Sequence, residues 1–196
     1  MLLAVKLLEI MGLEYYLAKS ESDKVLAHLS SSNSDSYCVT NDTDVLPHGA
    51  VNMLMNGKEP KNYEYIKLND ILNSLGINQM QFIKLCILSG TDYNNNIRLM
   101  GWKTSLSLVK KDYSYKEICA KYKDRVAEDE HKHLELIDSF FSNDSVEFER
   151  FCGREDVNFD AFNEEFEETK TFTEKRLDNI KKSLQLISSY KKAISN

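Results

Sequence analysis

The stretch VTNDTDVLPHG, Val39 to Gly49, sets Asp42 and Asp44 at i and i+2 just past a short β-branched run and follows them with Pro47 and Gly49. In open α/β sheets, ligands bind outside the carboxyl ends of the strands, and a strand that runs straight into two carboxylates and a turn fits that position. Upstream, LEYYLA reads as an aromatic-rich strand, Ser20 as an N-cap and ESDKVLAHLS as a short helix; the polar SSNSDS then leads into YCVTN, a second strand. Strand, helix, strand in that span predicts a βαβ unit, hence a parallel sheet with a right-handed crossover. Glu21 and Asp23 follow the first strand, so four carboxylates are expected on one rim. Left alone they repel one another and resist ionising, and a hard divalent cation such as Mg²⁺ is the natural counter-charge. Each pair also has a structural alternative: Ser20-x-x-Asp23 fits a capping box, and Asn41, Asp42 and Asp44 are ordinary turn formers.

The rest of the chain extends this α/β reading. Residues 2–12 form an amphipathic helix stopped by Gly12, and VNMLMN and YEYIKL are further strands separated by the turn GKEPKN. From Asn69 onward the pattern is helical throughout. QMQFIKLCILSGTDY is a helix that ends at Gly90 and projects Asp92 from a turn, a place where aspartate also serves simply as a turn residue. AEDEHKHLELIDSFFSNDS, VEFERFCGRED and FTEKRLDNIKKSLQLISSYKK keep helical spacing, with turns at Asn143-Asp144 and Gly153.

Composition narrows the class. A chain of 196 residues, 42% hydrophobic, can bury the core of one α/β unit plus a smaller appendage. Seven glycines, two prolines and no repeat exclude fibrous and low-complexity classes. The apolar start MLLAVKLLEIMGL is interrupted by Lys6 and Glu9, so neither a signal peptide nor a membrane span is expected there. Cys38, Cys86, Cys119 and Cys152 each sit in an apolar neighbourhood without Cys-x-x-Cys spacing and are expected to be reduced core thiols of an intracellular protein. His131 and His133, at i and i+2, point to different helix faces, so no structural zinc is expected. The net charge of −6 conceals segregation: residues 97–125 carry 8 basic and 3 acidic side chains, whereas 126–168 carry 3 and 15. A basic segment of this kind is either a solvated face or an electrostatic footprint on phosphate, and the acidic block is a solvated face or a surface for a basic partner.

Taken in order, AKSESD, VTNDTDVLPHG, LGINQMQFIKLCILSGTDYNNNI and RLMGWKTSLSLVKK resemble the flap endonuclease (XPG-like) family of structure-specific 5′ nucleases, from its internal catalytic segment into its helix-three-turn-helix. The resemblance covers about residues 1–125, and Phe172 to Lys192 resembles the family's closing helix. It implies a partial parallel-sheet, PIN-like nuclease core over residues 1–96 and a helical DNA-binding region over 97–196. It also implies that Glu21, Asp23, Asp42, Asp44 and Asp92 hold two Mg²⁺ ions, with Mn²⁺ able to substitute, about 4 Å apart around a scissile phosphate. The family usually has glutamate where this chain has Asp23. Two further metal-binding aspartates and a basic helical arch lie upstream in the family's pattern, and this chain alone is expected to be incomplete.

In the DNA-gripping hairpin the family has a glycine-hydrophobic-glycine turn, and this chain has Leu99-Met100-Gly101 followed by Trp102 in place of the usual proline. Gly101, Lys103, Lys110 and Lys111 are the implied phosphate contacts. Leu99 is expected to turn inward beside Met100 and Leu106, because an exposed Leu-Met-Gly-Trp run is a costly apolar patch. Trp102 is either a packing anchor or a nucleic-acid contact. The implied function is metal-dependent cleavage of branched or 5′-flapped double-stranded DNA in replication or repair, by a monomer in the nucleus or another site of replication, with no membrane and no sliding clamp indicated. The alternative is a catalytically inactive nucleic-acid- or protein-binding module on the same scaffold.

Overall fold

The computed structural model describes residues 2–33, 35–57, 62–142, 145–153, 156–162, 164, 166 and 174–194. It divides into two compact units, Met1–Lys19 with Phe148–Asn196, and Ser20–Glu147.

In the first unit, α1 (Leu2–Ile10) ends where Gly12 takes a φ of 62°, the left-handed turn foreseen from the glycine. β1 (Tyr15–Ala18) pairs antiparallel with β5 (Phe148–Phe151). The expected βαβ unit is therefore not formed: β1 takes its partner from far along the chain. VEFERF is a strand and not the helix expected there. Cross-strand aromatic pairs explain both departures. Tyr15 stacks on Phe151 with centroids 4.8 Å apart, Tyr16 meets Phe148 edge-on at 5.5 Å, and Arg150 donates to Glu14 at 2.8 Å. α8 (Phe159–Phe162) and α9 (Glu174–Ile194) complete this unit around a core of Ile10, Val157, Phe162, Phe166 and Leu184.

The second unit is α/β with a small mixed sheet. It runs α2 (Ser22–Ser31), β2 (Cys38–Val39), a 3-10 turn (Thr43–Val45), β3 (Asn52–Asn56), β4 (Tyr63–Lys67), α3 (Leu68–Leu75), α4 (Gln79–Ser89), α5 (Trp102–Lys110), α6 (Tyr115–Lys121) and α7 (Glu130–Ser142). The sheet order is β2-β3-β4; β2 lies parallel to β3, with Cys38 opposite Met53, and β3 antiparallel to β4. α4 is the spine of the unit. It opens with a capping box in which Asn78 and Gln81 satisfy each other's backbone N–H, and it buries Phe82, Ile83, Leu85, Ile87 and Leu88 against α5 and α7. Truncating any one of these would cost about 2–5 kcal/mol.

Ser20 does not cap α2; the N-cap is Glu21, without a side-chain hydrogen bond, so the alternative capping-box reading of this segment does not hold. Cys38 and Cys119 are buried and Cys86 is half-buried, but Cys152 is exposed, against the expectation of a core thiol. It lies just past β5, where the strand has left the core. The turns expected at GKEPKN and Asn143-Asp144 fall largely outside the described residues. Among the described residues no helix is long and apolar enough to cross a membrane.

Candidate metal centre and nucleic-acid interface

The loop after β2 is pinned residue by residue. The Thr40 amide donates to Leu54 O, Asn41 Oδ1 accepts from the Asn56 amide at 2.9 Å, and Asp42 Oδ1 accepts from the Asp44 amide at 3.0 Å, capping the 3-10 turn. Behind the carboxylates, Val45, Leu46 and Ala50 are buried, and Gln79 at the start of α4 donates through Nε2 to the carbonyls of Leu46 and Pro47. The Asp pair thus stands on a loop fastened both to the sheet and to the central helix. One oxygen of Asp42 is used as a turn cap, as the structural reading of this residue expects.

α2 delivers Glu21 and Asp23 to the same place. It packs on β2 and on the 3-10 turn, with the Cys38 thiol donating to Leu26 O at 3.4 Å. Packing of the helix, and not the pairing of β1 with β2, is what brings these acids to the loop. Asp92 arrives from the end of α4. Gly90 has a φ of 99° and lies so close to the returning chain that an added Cβ would stand 3.2 Å from the Asn96 amide. The tight turn beyond it is held by Thr91 Oγ1 donating to Asn94 Oδ1 at 2.8 Å and by Asn94 Nδ2 donating to Ile87 O at 2.8 Å.

The electrostatics record the convergence. Burial raises the Asp44 carboxyl above the ordinary aspartate value, and Asp42, Asp92 and Asp23 raise it further. Burial likewise raises Asp23, with Asp42 and Glu21 adding to it. The Tyr93 hydroxyl is raised first by burial and then by Glu21, Asp44, Asp23 and Asp92. All five predicted acids therefore share one field. None has an ion-pair partner among the described residues. As they stand, no three His, Cys, Asp or Glu side chains among the described residues form a group that could hold a metal ion. The donor set is chemically right for Mg²⁺ or Mn²⁺, being all carboxylate oxygen and short of positive charge.

Sequence reading missed the aromatic wall beside these acids. Tyr93 and His48 both pack on Phe140 and Phe141, and Lys24 Nζ lies 5.8 Å from the Phe140 centroid. Burial, aided by Lys24, lowers His48 to about 4, so it is neutral at pH 7. Lys24 is the basic side chain of this corner, yet it neither lowers Asp23 nor Asp44. The only sequence signals were the adjacency of Tyr93 to Asp92 and of His48 to the turn.

At the hairpin, Ile97 O accepts from the Met100 amide at 2.9 Å, and Leu99 takes a φ of 60° at the third position of that turn, where glycine is favoured. Leu99 does not pack inward: it is 80% exposed, while Met100 is 1% exposed. The left-handed backbone swings the Leu99 Cβ out and gives the core position to Met100. Gly101 is the N-cap of α5 and has open space around it, leaving the first-turn amides accessible. Lys103 stands beside it. Lys110 and Lys111 lie at the far end of the helix, about 12 Å along at 1.5 Å per residue, and Lys110 Nζ rests near Gly76 at the end of α3.

An XPG I-region family model matches residues 12–92. Flap endonuclease 1 of Theileria annulata is 37% identical over 117 residues, covering 59% of this chain and 23% of that protein. Flap endonuclease 1 of Methanosphaera stadtmanae is 28% identical over 178 residues, covering 86% of this chain and 53% of that protein. The chain thus spans about half, or less, of the length of these curated relatives. The structure of flap endonuclease-1 from Methanococcus jannaschii is similar in fold, with a TM-score of 0.75 at 24% identity over 94% of this chain and 56% of that one. The catalytic core of Rad2 in complex with DNA substrate is similar with a TM-score of 0.62 at 21% identity, over 92% of this chain and 68% of that one. The I-region match over the acid loops and the similar flap endonucleases support an XPG-like flap endonuclease family for this chain, and the shared fold agrees with it.

Proposed function

We propose that this chain is the acid-bearing and DNA-gripping part of a structure-specific DNA endonuclease and 5′ exonuclease, hydrolysing phosphodiesters in branched or 5′-flapped DNA during replication or repair. The observation that supports the reading best is that Asp42, Asp92 and Asp23 act together on the half-buried Asp44, and Asp42 and Glu21 on Asp23, with no ion-pair partner for any of them among the described residues.

Asp42 and Asp44, fixed by the capped turn, would hold a divalent cation together with Asp92, while Glu21 and Asp23 face it from α2. When bound, divalent ions of the Mg²⁺ class supply Lewis acidity toward the phosphodiester and acidify the attacking water. The residues of the chain keep that place anionic and ordered. Asp42 is oriented by its cap, Asp92 by the Thr91–Asn94 turn, and the neutral His48 with Tyr93, Phe140 and Phe141 closes the corner behind them with apolar surface. No serine, cysteine or histidine nucleophile is required. At the hairpin, the Gly101 N-cap and Lys103 meet the phosphate backbone, with Lys110 and Lys111 a turn or more further along the groove.

The test is cleavage by the full-length chain of a 5′-flap DNA in Mg²⁺, compared with Asp44→Asn. Cutting that is lost in the variant while DNA affinity stays within a few-fold supports the assignment, and equal cutting removes it. A second reading, a nucleic-acid-binding module without catalysis, draws on the absence among the described residues of any acid group able to hold a metal as it stands. It predicts tight, uncut, Mg²⁺-independent binding.

A further inference from the structure

Leu99 and Trp102 are both solvent-facing, at 80% and 55% exposure, on a hairpin whose backbone adopts a left-handed conformation at Leu99. A left-handed backbone strains a leucine, and its side chain gains no burial in return. Residues 97–111 contain Arg98, Lys103, Lys110 and Lys111 and no acidic residue. Lys103 Nζ lies 5.6 Å from the Trp102 ring centroid, so an ammonium and an indole are presented as one unit. Arg98, Leu99, Gly101, Trp102, Lys103 and Thr104 are all exposed. A basic surface repels a basic partner and would be matched by phosphate, while an indole is matched by any flat π face. A nucleic-acid strand with unpaired bases offers both, and a fully stacked duplex offers only the first.

We infer that Leu99 and Trp102 form a base-contacting prong, with Trp102 stacking on an unpaired base of a DNA strand while Lys103 and Arg98 meet its phosphates. The inference rests on the reading of this hairpin as a DNA contact and deepens it. The hairpin would then distinguish strands with unstacked nucleotides from continuous duplex, instead of gripping any duplex equally. Base-aromatic stacking tolerates every sequence, because each base has a π face, so the discrimination is structural and not sequence-specific.

Trp102 is the sole tryptophan of the chain, so intrinsic emission reports on this position alone. The full-length protein is titrated with a labelled oligo-dT strand, a blunt duplex and a duplex with a single-stranded overhang, following both emission and anisotropy. The strand and the overhang should quench Trp102, and the blunt duplex should raise anisotropy with little quenching. Trp102→Ala should weaken binding to the strand by roughly 5- to 150-fold, the range of stacking on one base, with Trp102→Phe losing much less. Because both side chains are exposed, the variants should fold as the parent does. Unquenched emission with every DNA that binds overturns the inference. So does an equal loss for all three DNAs in Trp102→Ala, or quenching that grows with protein concentration without DNA, which would give the prong to a second copy. Lys103→Ala separates the two readings. If it weakens duplex binding while Trp102→Ala leaves the strand preference intact, only the stacking falls; if it changes neither affinity nor salt dependence, the hairpin reading falls and takes the prong with it.

Discussion

Asp42 and Asp44 are bound to each other and repel each other at once: the Asp44 amide donates to Asp42 Oδ1 at 3.0 Å, while the Asp42 charge helps to raise the Asp44 carboxyl. The bond holds the Asp42 carboxylate against the Asp44 backbone despite that repulsion. Asp42→Asn keeps an acceptor oxygen for the cap and should retain the fold while losing cleavage. Asp42→Ala loses the cap as well and should cost a further 0.5–2 kcal/mol or so of stability. Thermal unfolding of both variants beside a flap-cleavage assay checks the split.

Raised carboxyls make a pH signature with a definite sign. Asp23 and Asp44 hold their protons more tightly folded than unfolded, so between the ordinary aspartate value and the raised one the folded state binds more protons. Their contribution to stability therefore falls as pH rises through that window. In chelator, the melting temperature of the protein should show this loss, superimposed on its other titrations, and Asp44→Asn should flatten it.

Cation binding should act in the opposite direction. A ligand that binds only the folded state stabilises by about 2.7 kcal/mol at a hundredfold excess over its dissociation constant. Mg²⁺ or Mn²⁺ should raise the melting temperature at pH 7, less so toward pH 4, and Asp44→Asn should remove most of the increment. Equal increments in parent and variant would assign the ions elsewhere.

The acid loop was legible in the sequence because its reading depends on local chemistry: VTNDTDVLPHG places carboxylates after β-branched residues, and the structure keeps that order around Asp42 and Asp44. Asp92 was legible for the same reason, since Gly90 ends an unmistakable buried helix. What was not legible was the partner of each strand. LEYYLA and VEFERF are separated by more than a hundred residues, and nothing within either says that Tyr15 will stack on Phe151. Periodicity over a six-residue segment rich in Glu and Phe does not separate strand from helix, and the deciding contacts are cross-strand. Glu21 and Asp23 reach the loop after β2 through the packing of α2, and not through the sheet that the sequence suggested.

If Lys103 meets a phosphate, its removal changes the response to salt and not only the affinity. Each lost contact should flatten the slope of log affinity against log salt by about 0.9. Lys103→Ala should do so on blunt duplexes of unrelated sequence alike. Lys110→Ala, at the other end of α5 with its ammonium near Gly76, should have the smaller effect on the slope.

Leu99→Gly tests how the hairpin is built. Had the leucine packed inward, the change would remove a buried side chain and cost about 2–4 kcal/mol. With Leu99 80% exposed at a φ of 60°, there is little burial to lose and a left-handed strain of about 1–2 kcal/mol to relieve. Against that stands the greater freedom of glycine in the unfolded chain, worth about 0.4–1 kcal/mol. The balance favours the variant by roughly 0–1.6 kcal/mol, up to about 6 °C in melting temperature for a domain of this size. The absence of any large loss separates this packing from the inward one. Duplex affinity should hold or improve, because the Gly101 and Lys103 contacts remain and the backbone can approach a phosphate more closely without the Leu99 Cβ. Single-strand affinity should fall modestly, because the exposed hairpin loses one of its two large apolar side chains. A variant that is more stable and grips duplex better while discriminating less against it would show that the leucine is kept at this strained position for what it touches outside the protein.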